Sequence, residues 1–335
     1  MKKVQWGVLS TARIGTAKVI PGFQKSECCE VRAIASRSDA AARAAANELG
    51  IPLAYGRYEA LLEDPSIEAV YNPLPNHLHV PLTLAAARAG KHVLCEKPIA
   101  ITADEAAQLR EGAGRVHVME AFMVRFHLQW LRAREIVRSG MLGELRTVQG
   151  AFSYFNEDPA NIRNLPGIGG GALLDIGCYP IVAGRFFFEA EPARVMALVD
   201  RDPRFGVDRT VSALADFGAG RQLSFSVSTQ SVPFQRLQLF GSKKRLELRI
   251  PFNAPQGEPV QIFLDDGSRL ADASAQAETL PPCDQYALQG DAFSKVIRGE
   301  LALPYGVEDA VQNMRIIDAM FRSETSGRWE PVATA

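Results

Sequence analysis

The chain has 335 residues, 47% of them hydrophobic and 22% charged, and a net charge of −1. That size and balance predict about two globular domains with ample core, and the near-zero charge argues against nucleic acid or an anionic membrane surface as a partner. The five cysteines form no CxxC pair, so neither a disulfide framework nor a zinc site is expected.

Strands and helices alternate through the first half. The pattern predicts a strand at 4–9, a helix at 16–24 and a strand at 30–36. A helix at 39–49 stops at Gly50, a short helix follows at 58–62, and a strand at 69–72 leads to a helix at 80–89 and a strand at 92–96. The amino terminus enters a strand-like pattern at once, and no apolar run reaches about 18 residues. The expectation is a cytoplasmic protein without a membrane span. Alternation of this kind implies βαβ units: an α/β domain with a parallel, doubly wound sheet and helices on both faces.

Ligands of such sheets bind beyond the carboxyl ends of the strands. The first end, Ser10-Thr11-Ala12-Arg13-Ile14-Gly15, is a degenerate Gly-rich turn. Ser10 and Ala12 stand where glycines are usual, yet they are small enough to let main-chain N–H groups approach a pyrophosphate at a helix start. The second end reads Ser36-Arg37-Ser38. An NAD site commonly places a carboxylate there to bind the ribose. Here Ser36 and Arg37 offer donors to a 2′-phosphate, which predicts NADP, with NAD as the alternative. The third end is Pro73-Leu74-Pro75-Asn76 and the fourth Glu96-Lys97-Pro98. Pro73, Leu74, Asn76, Glu96 and Lys97 are therefore further cofactor-site candidates.

From about residue 123 the texture changes. An amphipathic helix at 126–139 is followed by alternating runs at 145–155, 194–200, 210–217, 222–229, 236–240, 245–250 and 260–264. These predict a large, open, mostly antiparallel sheet of about six strands or more. Helices at 284–298 and 307–323 close the chain. The division expected is 1–122 and 123–335. An open sheet that large needs a cover on its second face, which predicts a homodimer or dimer of dimers. One helix interrupts the sheet: Gly169-Gly170-Gly171 leads into Asp175 and, four residues on, Tyr179, a spacing that shares a helix face. The glycines free main-chain N–H groups to meet an anion or a sugar oxygen. Gly177, costly inside a helix, predicts the close approach of another backbone or a ligand.

Taken together, residues 7–15, Pro73-Leu74-Pro75-Asn76-His77-Leu78-His79, residues 90–98 ending in Cys95-Glu96-Lys97-Pro98, and residues 169–179 resemble the glucose–fructose oxidoreductase / inositol dehydrogenase (Gfo/Idh/MocA) family. The likeness covers nearly the whole chain. It lies nearest the branch of dimeric dihydrodiol dehydrogenases and D-xylose dehydrogenases, which has Tyr four residues after Asp in the catalytic helix. The resemblance implies a Rossmann domain, an open-faced α/β domain, and hydride transfer between nicotinamide and a sugar or polyol carbon. It makes Lys97 the catalytic lysine and Asp175 with Tyr179 the helix pair.

In that setting Tyr179 is the expected proton acceptor. Lys97 supplies positive charge and Asp175 orients; Lys97 as the acid–base group is the alternative. Glu96 is expected at the nicotinamide or its ribose, and His79 at a ribose hydroxyl. Arg125, Asn156, Asn161 and Arg163 are candidates to line a polyol pocket. His77 and His79 form an HxH pair without a third ligand, so no metal is expected. Aldose (D-xylose-type) 1-dehydrogenation is the first reading. Trans-dihydrodiol oxidation and keto-sugar reduction are alternatives in the same class, and a non-catalytic NADP-binding sensor or scaffold is one from another.

Overall fold

A computed structural model describes residues 2–333. Two compact units emerge, one from the residues up to Met123 together with Asp284–Val311, the other from Val124–Cys283 together with the residues from Gln312 on. A contiguous division into 1–122 and 123–335 therefore needs correcting for residues 284–311. The reason is apolar: Phe293 of the helix Gln285–Ile297 packs on Trp6 (5.9 Å between ring centroids), and Ser294 accepts the Trp6 indole N–H at 3.2 Å. Just past that helix, Arg298 grips Glu68 through two bonds of 2.7 and 2.8 Å.

The first unit is built on six strands, β1 (Val4–Leu9), β2 (Cys29–Ala35), β3 (Leu53–Tyr55), β4 (Ala69–Asn72), β5 (His92–Cys95) and β6 (Val118–Glu120). They lie in the order β3-β2-β1-β4-β5-β6, and all pairs are parallel. This is a Rossmann sheet. Its order reverses between β1 and β4, which opens a crevice at their carboxyl ends. Every residue of β4 is buried, as covering helices on both faces require. β3 and β6 have three residues each, too few to leave a periodic signal. The helix Asp39–Leu49 is capped as its sequence demands: Ser38 accepts from Ala41 N–H, and Gly50 ends it in the left-handed region at φ +66°.

In the second unit the strands are β7 (Leu145–Phe155), β8 (Arg194–Arg201), β9 (Asp208–Asp216), β10 (Gln222–Ser228), β11 (Gln230–Gly241), β12 (Arg245–Leu248), β13 (Val260–Asp265), β14 (Gln276–Leu280) and β15 (Glu330–Pro331). They form one nine-stranded sheet in the order β14-β13-β12-β11-β7-β10-β9-β8-β15. It is antiparallel apart from the β7–β10 pair. The helix Cys178–Phe188 lies against one face with every residue buried. It comes so close that a Cβ on Gly150 of β7 would stand 2.9 Å from Pro180 Cβ. Trp130 locks this layer, with its ring 5.3 Å from both Phe186 and Phe187. No helix among the described residues is long and apolar enough to cross a membrane.

Candidate functional site

At the carboxyl end of β1, Ser10 sits at φ 104°, a conformation that favours glycine. The chain thus keeps the backbone of a Gly-rich turn without its first glycine. Ser10 Oγ accepts from Ala12 N–H at 3.2 Å. Thr11, Ala12 and Ile14 are half-buried and Arg13 is exposed. A helical segment follows at once, through the π turn Gly15–Val19 into Ile20–Lys25. A Cβ on Gly15 would come within 3.6 Å of both Pro73 and Tyr71, so the turn lies close against β4 and its loop. First-turn N–H groups of a helix lack intrahelical acceptors, and with small side chains around them this end fits a dinucleotide pyrophosphate.

At the end of β2, Ser36 N–H donates to Tyr55 O at 3.0 Å, while Ser36 is half-buried and Arg37 exposed. The nearest following carboxylate, Asp39, pairs with Arg43 at 2.7 Å. Beyond β4, Asn72 accepts from Leu74 N–H and donates to His79 O and Thr83 Oγ1. Pro73 and Leu74 are buried and Asn76 is half-buried.

His79 departs from expectation. It is 1% exposed, with Nδ1 2.7 Å from Pro98 O and Nε2 2.6 Å from Leu74 O. Its ring faces main-chain carbonyls, which leaves no nitrogen for a ribose hydroxyl. Burial pushes its pKa down to about 4 against the pull of the two carbonyls. At neutral pH a neutral ring therefore donates one bond, for which the two carbonyls compete.

At the end of β5, Glu96 Oε1 accepts the Tyr71 hydroxyl at 2.5 Å, and Glu96 Oε2 accepts Lys97 N–H at 3.3 Å. The Lys97–Pro98 peptide is cis. Lys97 is half-buried.

The second unit carries Asp175 in the π turn Leu173–Gly177 and Tyr179 in the helix that continues it. Asp175 accepts from the Tyr154 hydroxyl at 2.6 Å and from Arg163 Nε at 3.2 Å. Tyr179 is buried, its ring 5.8 Å from Phe152 and 5.4 Å from Phe252. Of the four pocket candidates, Arg163 thus reaches Asp175. Asn161 caps the short turn that carries Arg163. Asn156 accepts from Asp158 N–H and from Asn164, and Arg125 is 3% exposed. Loop-shaping accounts for the two asparagines, and burial keeps Arg125 from open solvent.

The glycine entry also departs from expectation. Leu173 N–H donates to Asp208 Oδ2 at 2.7 Å, and a Cβ on Gly171, at φ 110°, would overlap the same carboxylate. At Leu173 the helix entry therefore meets the chain's own Asp208 carboxylate. Burial pushes the Asp208 pKa up to about 6, offset in part by the Leu173 N–H. A Cβ on Gly177 would stand 2.8 Å from the Leu173 side chain, 3.5 Å from that of Val227 and 3.6 Å from Ala172 O, so a neighbouring backbone does approach it. Sequence reasoning missed Tyr154 and Asp208. Tyr154 had a signal: it shares a face of β7 with Phe152, two residues away. Asp208 had none, because its partners are about 35 residues distant.

Two family models cover most of the chain: the oxidoreductase family with an NAD-binding Rossmann fold matches residues 4–126, and the GFO/IDH/MocA C-terminal domain matches residues 130–247. The chain is 40% identical to a D-xylose 1-dehydrogenase (NADP(+)) of Haloferax volcanii, over 97% of this chain and 98% of that one. It is 33% identical to a dTDP-3,4-didehydro-2,6-dideoxy-α-D-glucose 3-reductase of Streptomyces violaceoruber, covering 89% and 86%. Among solved structures, a 3-ketoreductase from Actinomadura kijaniata in complex with NADP and TDP-benzene superposes with a TM-score of 0.89 at 29% identity, covering 96% and 98%. With a parallel Rossmann sheet, an open nine-stranded sheet and both family models in register, the chain belongs to the GFO/IDH/MocA family of oxidoreductases.

Proposed function

We propose that this oxidoreductase is an NADP-dependent dehydrogenase of a sugar or polyol, acting on an aldose of the D-xylose type at C1. The observation that carries the reading is the Asp175 cluster. A carboxylate clamped by Tyr154 and Arg163 offers acceptors to sugar hydroxyls, and the next turn presents Tyr179 among Phe152 and Phe252. The 40% identity to a D-xylose 1-dehydrogenase supports the same substrate class.

Ser10, Thr11, Ala12, Arg13 and Ile14 are assigned to the pyrophosphate of the cofactor. Ser36 and Arg37 are assigned to its 2′-phosphate, with Pro73, Leu74, Asn76, Glu96 and Lys97 toward the nicotinamide end. When bound, the cofactor supplies the hydride acceptor. Tyr179 takes the hydroxyl proton in oxidation and returns it in reduction. An ordinary phenol titrates near pH 10, so a positive charge is needed to favour the phenolate. Lys97 is assigned that charge and a hydrogen bond to the substrate oxygen, and Asp175 orients the substrate. Keto-sugar reduction is the second reading, favoured by the likeness to the 3-ketoreductase. The same groups serve either direction. A homodimer through the open face of the nine-stranded sheet belongs to the proposal.

The test is a panel of pentoses, hexoses, keto-sugars and cyclic diols, read at 340 nm with NADP and NAD in parallel. Turnover of an aldose with NADP is the expected result, and Lys97→Met and Tyr179→Phe each lose at least about 100-fold in kcat. NADPH binding without turnover on any member would replace the enzyme reading by a sensor. A Tyr179→Phe variant that keeps kcat, beside an inactive Lys97→Met, would move the proton to Lys97.

A further inference from the structure

Residues 96–99, the segment that carries Lys97, are gripped by side chains from three neighbouring elements. Tyr71 of β4 donates its hydroxyl to Glu96 at 2.5 Å. His79, at the start of the helix His79–Arg88, reaches Pro98 O at 2.7 Å. Glu120, the last residue of β6, accepts Ile99 N–H at 2.8 Å. Main-chain bonds complete the frame, with Glu96 N–H to Asn72 O at 3.0 Å and Ala121 N–H to Cys95 O at 2.7 Å.

All three gripping side chains lie inside the first unit, with exposures of 0% for Tyr71, 1% for His79 and 2% for Glu120. A buried phenol, imidazole or carboxylate carries a desolvation cost, largest for the carboxylate, that its hydrogen bonds offset. Strand pairing does not call for it. The parallel ladders β4–β5 and β5–β6 close through main-chain groups, and apolar side chains would fill these positions more cheaply. What the three polar groups have in common is the segment they hold. They meet it at Glu96, Pro98 and Ile99, on both sides of Lys97. Such a frame holds the lysine Cα from either side.

We infer that Tyr71 and Glu120, with His79 as a third grip, are positioning residues for Lys97. The role rests on the reading above, in which Lys97 acts on the substrate oxygen. Tyr71 also stands next to the dinucleotide turn, since a Cβ on Gly15 would lie 3.6 Å from its ring. Its hydroxyl therefore ties the Lys97 segment to the strand that packs against that turn.

Hydrogen exchange on the full-length, cofactor-free protein tests the grip without activity. A peptide spanning residues 94–101 exchanges at least about tenfold faster in Tyr71→Phe and Glu120→Ala than in the parent, while peptides from β7–β12 are unchanged. Glu120→Gln, which keeps an acceptor for Ile99 N–H, restores most of the protection. In kinetics on the responsive sugar, Tyr71→Phe and Glu120→Ala lower kcat by roughly 10- to 100-fold, with the KM for NADP within about threefold. Should Glu120→Ala fail to fold, Tyr71→Phe, which retains the ring and its packing, decides alone. Unchanged exchange and kcat in Tyr71→Phe beside an inactive Lys97→Met overturn the inference and leave the functional reading standing. A fully active Lys97→Met overturns both.

Discussion

Arg37 is the residue proposed to set cofactor choice. It stands exposed just past β2, and the nearest following carboxylate, Asp39, pairs with Arg43. A charge-assisted bond from a guanidinium to a phosphate contributes roughly 1.5–3 kcal/mol. Arg37→Ala is therefore expected to raise the KM for NADP by about 10- to 100-fold while that for NAD moves less than about threefold. Initial rates at varied cofactor concentration measure both, and an unmoved NADP value removes Arg37 from the phosphate site. His79 shows the limit of residue-level reading. Its type and its place beside a strand end both fit a ribose contact, yet two main-chain carbonyls occupy its ring. Whether a polar side chain near a strand end serves a ligand or the fold depends on which way it points. Lys97, Asp175 and Tyr179 are read from short motifs and from the family resemblance, and their catalytic roles belong to the proposal. Tyr154 and Arg163, which hold the Asp175 carboxylate, became visible as its partners only through the fold of β7 and its following loop.

Among the elements, the helical segment bearing Asp175 and Tyr179 depends on a group from another strand. Asp208 opens β9 and caps that segment through Leu173 N–H. Burial raises its pKa from an ordinary 3.8 to about 6, with Glu324 adding to the rise and Arg201 opposing it. A group whose folded pKa is raised contributes most below its unfolded value, and the contribution is lost as pH rises through the folded one. The window is thus about pH 4 to 6, and its size is on the order of 2–3 kcal/mol. Asp208→Asn keeps an acceptor for Leu173 N–H and does not titrate. Its unfolding free energy relative to the parent should rise by about that amount between pH 4 and pH 7.5 in denaturant titrations. A difference that stays flat across this range would mean Asp208 ionises normally. The neighbouring glycines were legible as an unusual helix entry, but not their purpose. Room for the Asp208 carboxylate is a property of two segments together.

For the whole molecule, the open face of the nine-stranded sheet is the feature that calls for an occupant. Its strands form a shallow hollow of about 1140 Å³, lined by Met196, Leu198, Leu214, Phe234 and Arg236 among others. Leu198 is 77% exposed and Phe234 48% exposed. Exposed apolar side chains such as these on an open sheet suit association, and a second copy of the chain is the occupant proposed. Leu198→Arg places a charge on this face. Sedimentation velocity is expected to show the parent at twice the mass of the variant, each still folded by circular dichroism. A parent that sediments as a monomer at micromolar concentration would discard the dimer.

The amino-acid sequence by itself determined the parallel order of the first half, the change to a broad sheet, and the motif residues Lys97, Asp175 and Tyr179. These follow from periodicity, caps and short motifs, which act over a few residues. It also determined the missing carboxylate at Ser36-Arg37-Ser38 and with it the lean to NADP. Tertiary structure alone decided that Asp284–Val311 joins the first unit, that β3, β6 and β15 pair at all, and that Tyr71, Glu120 and Asp208 hold the segments carrying the motif residues. Each of those outcomes is a contact between residues far apart in the chain, and its energy comes from burial and hydrogen bonding that exist only once the fold has brought the partners together.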